Sequence, residues 1–195
     1  MAKAPRPFLE PYLYLDTNVI LDFLHNRYLP SVELMRKIRE RHWKCSTSSF
    51  SLLEMYDAEQ LDKFIEKLRL KGYSWSQIMS RTMERRSKKL GLTDGQLKSL
   101  SFELRDSISL IEDCIEFMYP HKGLWNEAEI YCIYTNIGAR DAIHLATALI
   151  VGCNILVTRD KDFRRIADDY ILATFPENIL TAVKEIESVQ PPTKL

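Results

Sequence analysis

Residues 140–158 constrain the fold more than any other part of this 195-residue chain. Residues 140–151 read as a helix that is almost continuously apolar, and a helix of that kind is buried rather than half-exposed. Residues 154–158 (NILVT) follow as the clearest strand in the chain. A buried helix leading into a strand that is apolar on both faces indicates an α/β fold, a parallel sheet covered by helices.

The rest of the chain fits that frame. Residues 12–15 (YLYL) form a short β-prone run that ends abruptly in Asp16-Thr17-Asn18, and 19–25 then look helical. Ser31, after Pro30, is placed to cap a helix running to about Arg41, with Val32, Met35 and Ile38 on one face. Residues 43–47 are a second strand. Ser51-Leu52-Leu53-Glu54 has capping-box spacing and opens an amphipathic helix through Leu61, Phe64, Ile65 and Leu68. Gly72 stops it. Ser74-Trp75-Ser76-Gln77 and Thr93-Asp94-Gly95-Gln96 repeat the spacing before two more helices, one to about Leu90 and one to about Ile111. Residues 115–119 are a third strand, 126–136 a helix closed by Gly138, 171–175 a fifth strand and 177–189 a closing helix. The stretch from about 58 to 113 holds no strand and reads as a helical insertion in a single domain spanning 1–195.

Lys plus Arg equals Asp plus Glu at 27 each, so no global positive field advertises a nucleic-acid partner, and any such contact needs a local basic patch. Cys45, Cys114, Cys132 and Cys153 form no C-x-x-C pair and match no zinc spacing. The N-terminus lacks a secretory apolar region, and no apolar stretch approaches the roughly 20 residues of a membrane span. The expectation is a soluble cytoplasmic protein with reduced cysteines and no membrane partner.

Ligands of open parallel sheets bind beyond the carboxyl ends of the strands. Four acids fall at that edge: Asp16 after the first strand, Glu54 after the second, Asp141 at the start of the buried helix, and Asp160 just after NILVT. Four like charges in one cleft repel, each close pair by on the order of 1 kcal/mol or more, unless a cation neutralises them. Oxygen ligands without His or Cys suit Mg²⁺ or Mn²⁺ rather than zinc, and such ions serve phosphoryl transfer and phosphodiester hydrolysis. Each acid also has a plainer use. Asp16 fits an Asx-turn, Glu54 the return arm of a capping box, Asp141 a helix-dipole partner and Asp160 a turn.

Leu15-Asp16-Thr17-Asn18-Val19, Ser51-Leu52-Leu53-Glu54, Arg140-Asp141-Ala142-Ile143-His144-Leu145-Ala146-Thr147-Ala148 and Leu156-Val157-Thr158-Arg159-Asp160-Lys161-Asp162-Phe163 together resemble the PIN-domain family. The resemblance implies a three-layer α/β/α, Rossmann-like sheet of order 3-2-1-4-5. It also implies a metal-dependent ribonuclease in which Asp16, Glu54, Asp141 and Asp160 bind Mg²⁺ or Mn²⁺ and Asn18 and Thr158 support them. RNA is then the substrate and a 5′-phosphate and 3′-hydroxyl the products. A homodimer is implied as well and, for VapC-type toxins, an antitoxin partner. The 87-residue spacing from Glu54 to Asp141 is a departure from the minimal toxin form.

Arg81, Arg85 and Lys88 follow helical spacing and read either as a stripe for RNA phosphates or as a solvated face. Arg140 and Arg159 stand beside proposed ligands, either facing a phosphate or pairing with the acids. Asp162 is the alternative to Asp160 or a residue behind it, and Asp22 and Asp57 lie about a turn beyond Asp16 and Glu54. His144 reads as a core histidine. Two other functions compete. One is a non-catalytic scaffold of this fold binding RNA or protein. The other is a haloacid-dehalogenase-type phosphatase, which wants a carboxylate where Asn18 stands.

Overall fold

A computed structural model describes residues 10–84 and 92–188 of the chain. Strands β1 (Tyr12–Leu15), β2 (Lys44–Ser48), β3 (Glu116–Met118), β4 (Ile155–Val157) and β5 (Leu172–Thr174) form one sheet. Its order is β3-β2-β1-β4-β5 and each neighbouring pair is parallel, as the resemblance implies. The helices are α1 (Thr17–Leu24), α2 (Leu29–Arg41), α3 (Phe50–Leu70), α4 (Trp75–Glu84), α5 (Asp94–Ser109), α6 (Lys122–Thr135), α7 (Ala139–Val151), α8 (Lys161–Ala167) and α9 (Ile179–Ser188).

The chain divides into two compact units, Met1–Ser51 with Ile111–Leu195, and Leu52–Leu110. The first holds the whole sheet. Strand alternation sends Tyr14 and Leu156 into a cluster with Leu124, Ala128, Ala142, Leu145 and Ala146 of α6 and α7. Leu13, Leu15, Ile155 and Val157 point to the opposite face and are also fully buried, and α9 packs on β4 and β5. Each such Leu, Ile or Val contributes about 1.5–3 kcal/mol by leaving water. β2 is polar in sequence (KCSTS) yet buried from Cys45 to Ser48. Its hydroxyls are satisfied inside: Thr47 Oγ1 donates to Leu15 O at 2.8 Å, and the Tyr12 and Ser46 hydroxyls share a hydrogen bond of 2.7 Å.

Among its described residues the second unit is built of helices joined by short turns, with no strand. Thr93 and Gln96 form the expected capping box of α5. Ser74 and Gln77 do the same ahead of α4, with Ser74 N donating to Gln77 Oε1 at 2.8 Å. Lys63 of α3 meets Glu103 of α5 at 3.1 Å, and this hydrogen bond draws the Glu103 carboxyl below its usual range. An ion pair this exposed contributes at most about 1 kcal/mol.

Several local readings are corrected. Ser51 does not cap α3: the helix already runs from Phe50, and the Ser51 hydroxyl turns to Thr47 at 2.8 Å. Because Thr47 Oγ1 spends its proton on Leu15 O, Ser51 is the donor. Ser31 likewise sits inside α2, whose N-cap is Tyr28 with Pro30 in the first turn. The left-handed residue that ends α6 is Asn136 (φ 55°), while Gly138 is the N-cap of α7. Residues 177–189 begin as a short 3-10 turn before α9, and α8 lies in a stretch with no element in the sequence reading. The expected course of the α4 helix to Leu90, with Arg85 and Lys88, lies outside the described residues. Among the described residues no helix is long and apolar enough to cross a membrane.

Candidate metal centre at the carboxyl edge of the sheet

The chain builds outward from β1 to β2 and β3, then returns to the other side of β1 for β4 and β5. The order therefore reverses between β1 and β4, and the crevice beyond the carboxyl ends of those two strands is where such sheets take ligands. Register sets what stands there. Leu15 pairs with Val157, so Asp16 and Thr158 leave the sheet side by side, and Asp16 N donates to Val157 O at 3.0 Å.

Asp16 is the N-cap of α1, but its side chain caps nothing. The carboxylate, only 7% exposed, turns to its neighbours instead. Oδ2 accepts from Thr158 Oγ1 at 2.5 Å and from Asn18 Nδ2 at 2.6 Å. Asn18 Oδ1 accepts the Arg159 N–H at 3.1 Å, and Thr158 Oγ1 accepts the Asp160 N–H at 3.0 Å. Both polar residues expected beside Asp16 thus stitch the start of α1 to the loop after β4.

Asp160 behaves differently at the same kind of position. It is the N-cap of α8, and its Oδ1 accepts from Asp162 N at 2.8 Å and Phe163 N at 3.0 Å. Asp162 lies on the first turn of α8, exposed, behind that cap. Asp141 lies in the first turn of α7, half-buried, with Oδ2 3.9 Å from where a Cβ on Gly138 would stand. Helix α7 delivers the chain to the amino end of β4, so its own start is at the carboxyl edge. There the positive ends of α1 and α7 favour anionic groups. Glu54 follows the carboxyl end of β2 on the second turn of α3 and belongs to the helical unit. With Ser51 inside the helix, a capping box no longer accounts for it.

Among the described residues, no group of three or more His, Cys, Asp or Glu side chains lies close enough together to hold a metal ion. The donors at this edge are carboxylate, amide and hydroxyl oxygens, a set whose chemistry fits a hard divalent cation.

Under the edge runs a buried polar network. Tyr14 Oη accepts the Ser48 N–H at 3.0 Å and meets His144 Nδ1 at 2.7 Å. Burial, and then the charge of Asp16, push the Tyr14 hydroxyl well above its usual range. It therefore stays protonated, and its hydroxyl and His144 Nδ1 share the hydrogen bond. His144 is 1% exposed and packs edge-on against Tyr14 and Phe50. It is a core residue.

Of the expected cationic contacts, Arg140 is exposed on the first turn of α7. Arg81 is exposed on α4, its guanidinium 4.5 Å from the Tyr73 ring. Arg85 and Lys88 lie outside the described residues. Arg159 pairs with neither Asp160 nor Asp16: its Nη1 lies 2.7 Å from both oxygens of Asp22, a carboxylate that is buried. The sequence marked Asp22 only by its spacing from Asp16, and nothing in it marked Tyr28, whose ring lies 4.4 Å from the same guanidinium. A cavity of about 580 Å³, lined by Arg39, Trp43, Lys44, Cys45 and Asp113, opens at the amino ends of β2 and β3, away from the acids.

A family model described as PIN domain matches residues 80–169. Over that stretch the chain is similar to a PIN domain. The matched stretch takes in Asp141, Thr158, Asp160 and Asp162; Asp16, Asn18 and Glu54 precede it. Two solved structures share the PIN-like fold. VapBC2 from Rickettsia felis, solved bound to a DNA fragment from its promoter, is 13% identical with a TM-score of 0.51, over 84% of this chain and 98% of that one. PAE2754 from Pyrobaculum aerophilum is 13% identical with a TM-score of 0.50, over 91% of this chain and 98% of that one. Comparison with curated proteins gives no match.

Proposed function

We propose that this protein is a metal-dependent endoribonuclease whose acids Asp16, Glu54, Asp141 and Asp160 would hold Mg²⁺ or Mn²⁺ and whose substrate is RNA. The observation that carries the reading is Asp16. A buried carboxylate at a helix start normally caps that helix. This one is turned away from the backbone and fixed by Thr158 and Asn18 at the strand-order reversal. Those two hydrogen bonds offset the cost of burying the charge and fix its orientation. A bound divalent ion supplies activation of a water and stabilisation of the leaving oxygen. The protein's own part is positional. Thr158 and Asn18 set the rotamer of Asp16, Asp162 backs the Asp160 cap, and Arg140, Arg159 and the Arg81 face offer cations to the RNA phosphates.

The phosphatase alternative loses its acid/base, since Asn18 is committed at both ends, to Asp16 and to the Arg159 N–H. A non-catalytic RNA- or protein-binding scaffold keeps one observation in its favour, the lack of three gathered metal-binding side chains among the described residues. The name VapBC2 supports an antitoxin as a partner class here; a homodimer and a cytoplasmic setting complete the proposal.

The test is cleavage of a structured RNA by wild type and Asp141→Asn with Mg²⁺, with Mn²⁺ and with EDTA. The nuclease reading expects cutting that needs the metal, leaves 5′-phosphate ends and falls roughly 100-fold or more in the variant. Equal rates in both proteins, or no cutting together with no calorimetric heat of metal binding, reject it.

A further inference from the structure

Asn18 and Asp22 stand four residues apart on α1 and so share one face of that helix. Both are used on the same residue of the loop after β4. Asn18 Oδ1 takes the Arg159 backbone N–H at 3.1 Å, and Asp22 takes its side chain, Nη1 lying 2.7 Å from Oδ1 and from Oδ2. The clamp is braced on two further sides. Ser31 of α2 donates to Asp22 Oδ2 at 3.2 Å, and the Tyr28 ring lies against the guanidinium at 4.4 Å. Asp22 is buried, with its side chain 5% exposed, whereas the Arg159 side chain is 44% exposed. Among the described residues, Nε and Nη2 of Arg159 make no hydrogen bond. The guanidinium is thus anchored through Nη1 on a side chain that stays partly exposed, on a residue between Thr158, which binds Asp16, and Asp160.

We propose that Asp22 is a positioning residue that holds Arg159 as a pre-oriented contact for an RNA phosphate at the rim of the Asp16 crevice. The inference deepens the nuclease reading and rests on it for the identity of the anion. A guanidinium presents its donors in a fixed plane, so anchoring one edge orients the rest and removes much of the rotamer freedom that phosphate binding would otherwise quench. Asp22 itself touches no substrate.

The sign of one substitution separates this role from simple electrostatics. Deleting a negative charge near an anionic ligand strengthens binding if charge alone matters. If Asp22 works by orienting Arg159, Asp22→Asn weakens it. The measurement is the affinity of the full chain for a fluorescein-labelled single-stranded oligoribonucleotide by anisotropy, in EDTA so that nothing is cut, across a salt series. Asp22→Asn and Arg159→Ala are each expected to weaken binding roughly three- to tenfold. The double variant should be no weaker than Arg159→Ala, and Arg159→Ala should lower the salt slope by about 0.7. Arg159→Lys keeps the charge without the planar fork and should recover only part. Thermal melting of each variant shows whether the fold is intact. If Asp22→Asn does not fold, Tyr28→Leu removes the brace without stranding a buried charge and should weaken binding in the same sense.

Unchanged or tighter binding by Asp22→Asn, or by Tyr28→Leu in its place, with Arg159→Ala weakened, overturns the positioning role. Wild type that does not bind the RNA, or Arg159→Ala that binds as well as wild type, overturns the contact itself. Cleavage with Mg²⁺ in the same preparations separates the two claims. Cutting by wild type without these affinity losses leaves the nuclease reading standing and the clamp rejected. The affinity losses with neither cutting nor a calorimetric heat of metal binding leave the clamp standing and the nuclease reading rejected.

Discussion

Asp16 and Asp160 are the same residue type at the same helical position and do different work. Asp160 accepts two backbone N–H groups of its own helix, the ordinary use of an N-cap carboxylate. Asp16 accepts a hydroxyl and a side-chain amide from across the crevice. The Asp–Thr–Asn spacing and the Thr158–Asp160 spacing were legible as sequence, but that the two segments meet was not, because 142 residues separate Asp16 from Thr158. Ser51 misleads in the other direction. The Ser51-to-Glu54 spacing mimics a capping box, and only the observed helix start at Phe50 shows that Ser51 bonds Thr47 instead. Thr158→Val tests the residue scale: it keeps the shape and deletes the hydroxyl that binds Asp16 and receives the Asp160 N–H. Urea unfolding at neutral pH should show a loss of about 1.5–3 kcal/mol, the range for hydrogen bonds to a charged group. Thr158→Ser, which keeps the hydroxyl, should return most of it.

The most legible element was α7 followed by β4, because near-uniform apolarity leaves burial as its only stable setting. The structure buries every residue of α7 from Ala142 to Ala148 and all of β4. Element ends were less legible. Asn136 and Gly152 both adopt left-handed backbone at helix C-caps, yet the sequence pointed to Gly138, since glycine is the commoner residue there. Gly152 (φ 82°) makes the turn that carries α7 into β4, and an added Cβ would meet nothing within 4 Å. The cost of Gly152→Ala is therefore backbone strain alone, about 1–2 kcal/mol. A lowered melting temperature, partly restored by Gly152→Asn, is the expected result, and no change would show that the turn relaxes freely.

At the scale of the whole molecule, the sheet-bearing unit buries groups that must stay neutral. Burial pushes the Cys153 thiol up to about 12 from an ordinary value near 9, and raises Cys45 and Tyr14 well above theirs. A group whose pKa is raised on folding contributes stability that is complete below its unfolded pKa and lost as pH climbs toward the folded one. Stability should therefore be insensitive to these groups up to about pH 8 and fall progressively from about pH 9, where unfolded thiols begin to ionise. Denaturant midpoints taken from pH 7 to 11 check this, with Cys153→Ala flattening part of the decline, and a midpoint that rises through pH 10 would contradict it. What the sequence determined by itself was the alternation of apolar strands and helices, the parallel sheet and the acids that follow its strands. Those properties are carried by local periodicity and by the rule that apolar surface must be covered. What only tertiary structure decided was partnership. It set Asp16 against Thr158 rather than on its own helix, and tied Arg159 to Asp22 rather than to its neighbouring acid. It also placed Ser31 and Ser51 inside helices they were read as capping. Each of these choices is settled by which groups packing brings within about 3 Å, the reach of a hydrogen bond. Packing is fixed by strand register and crossover, not by distance along the chain.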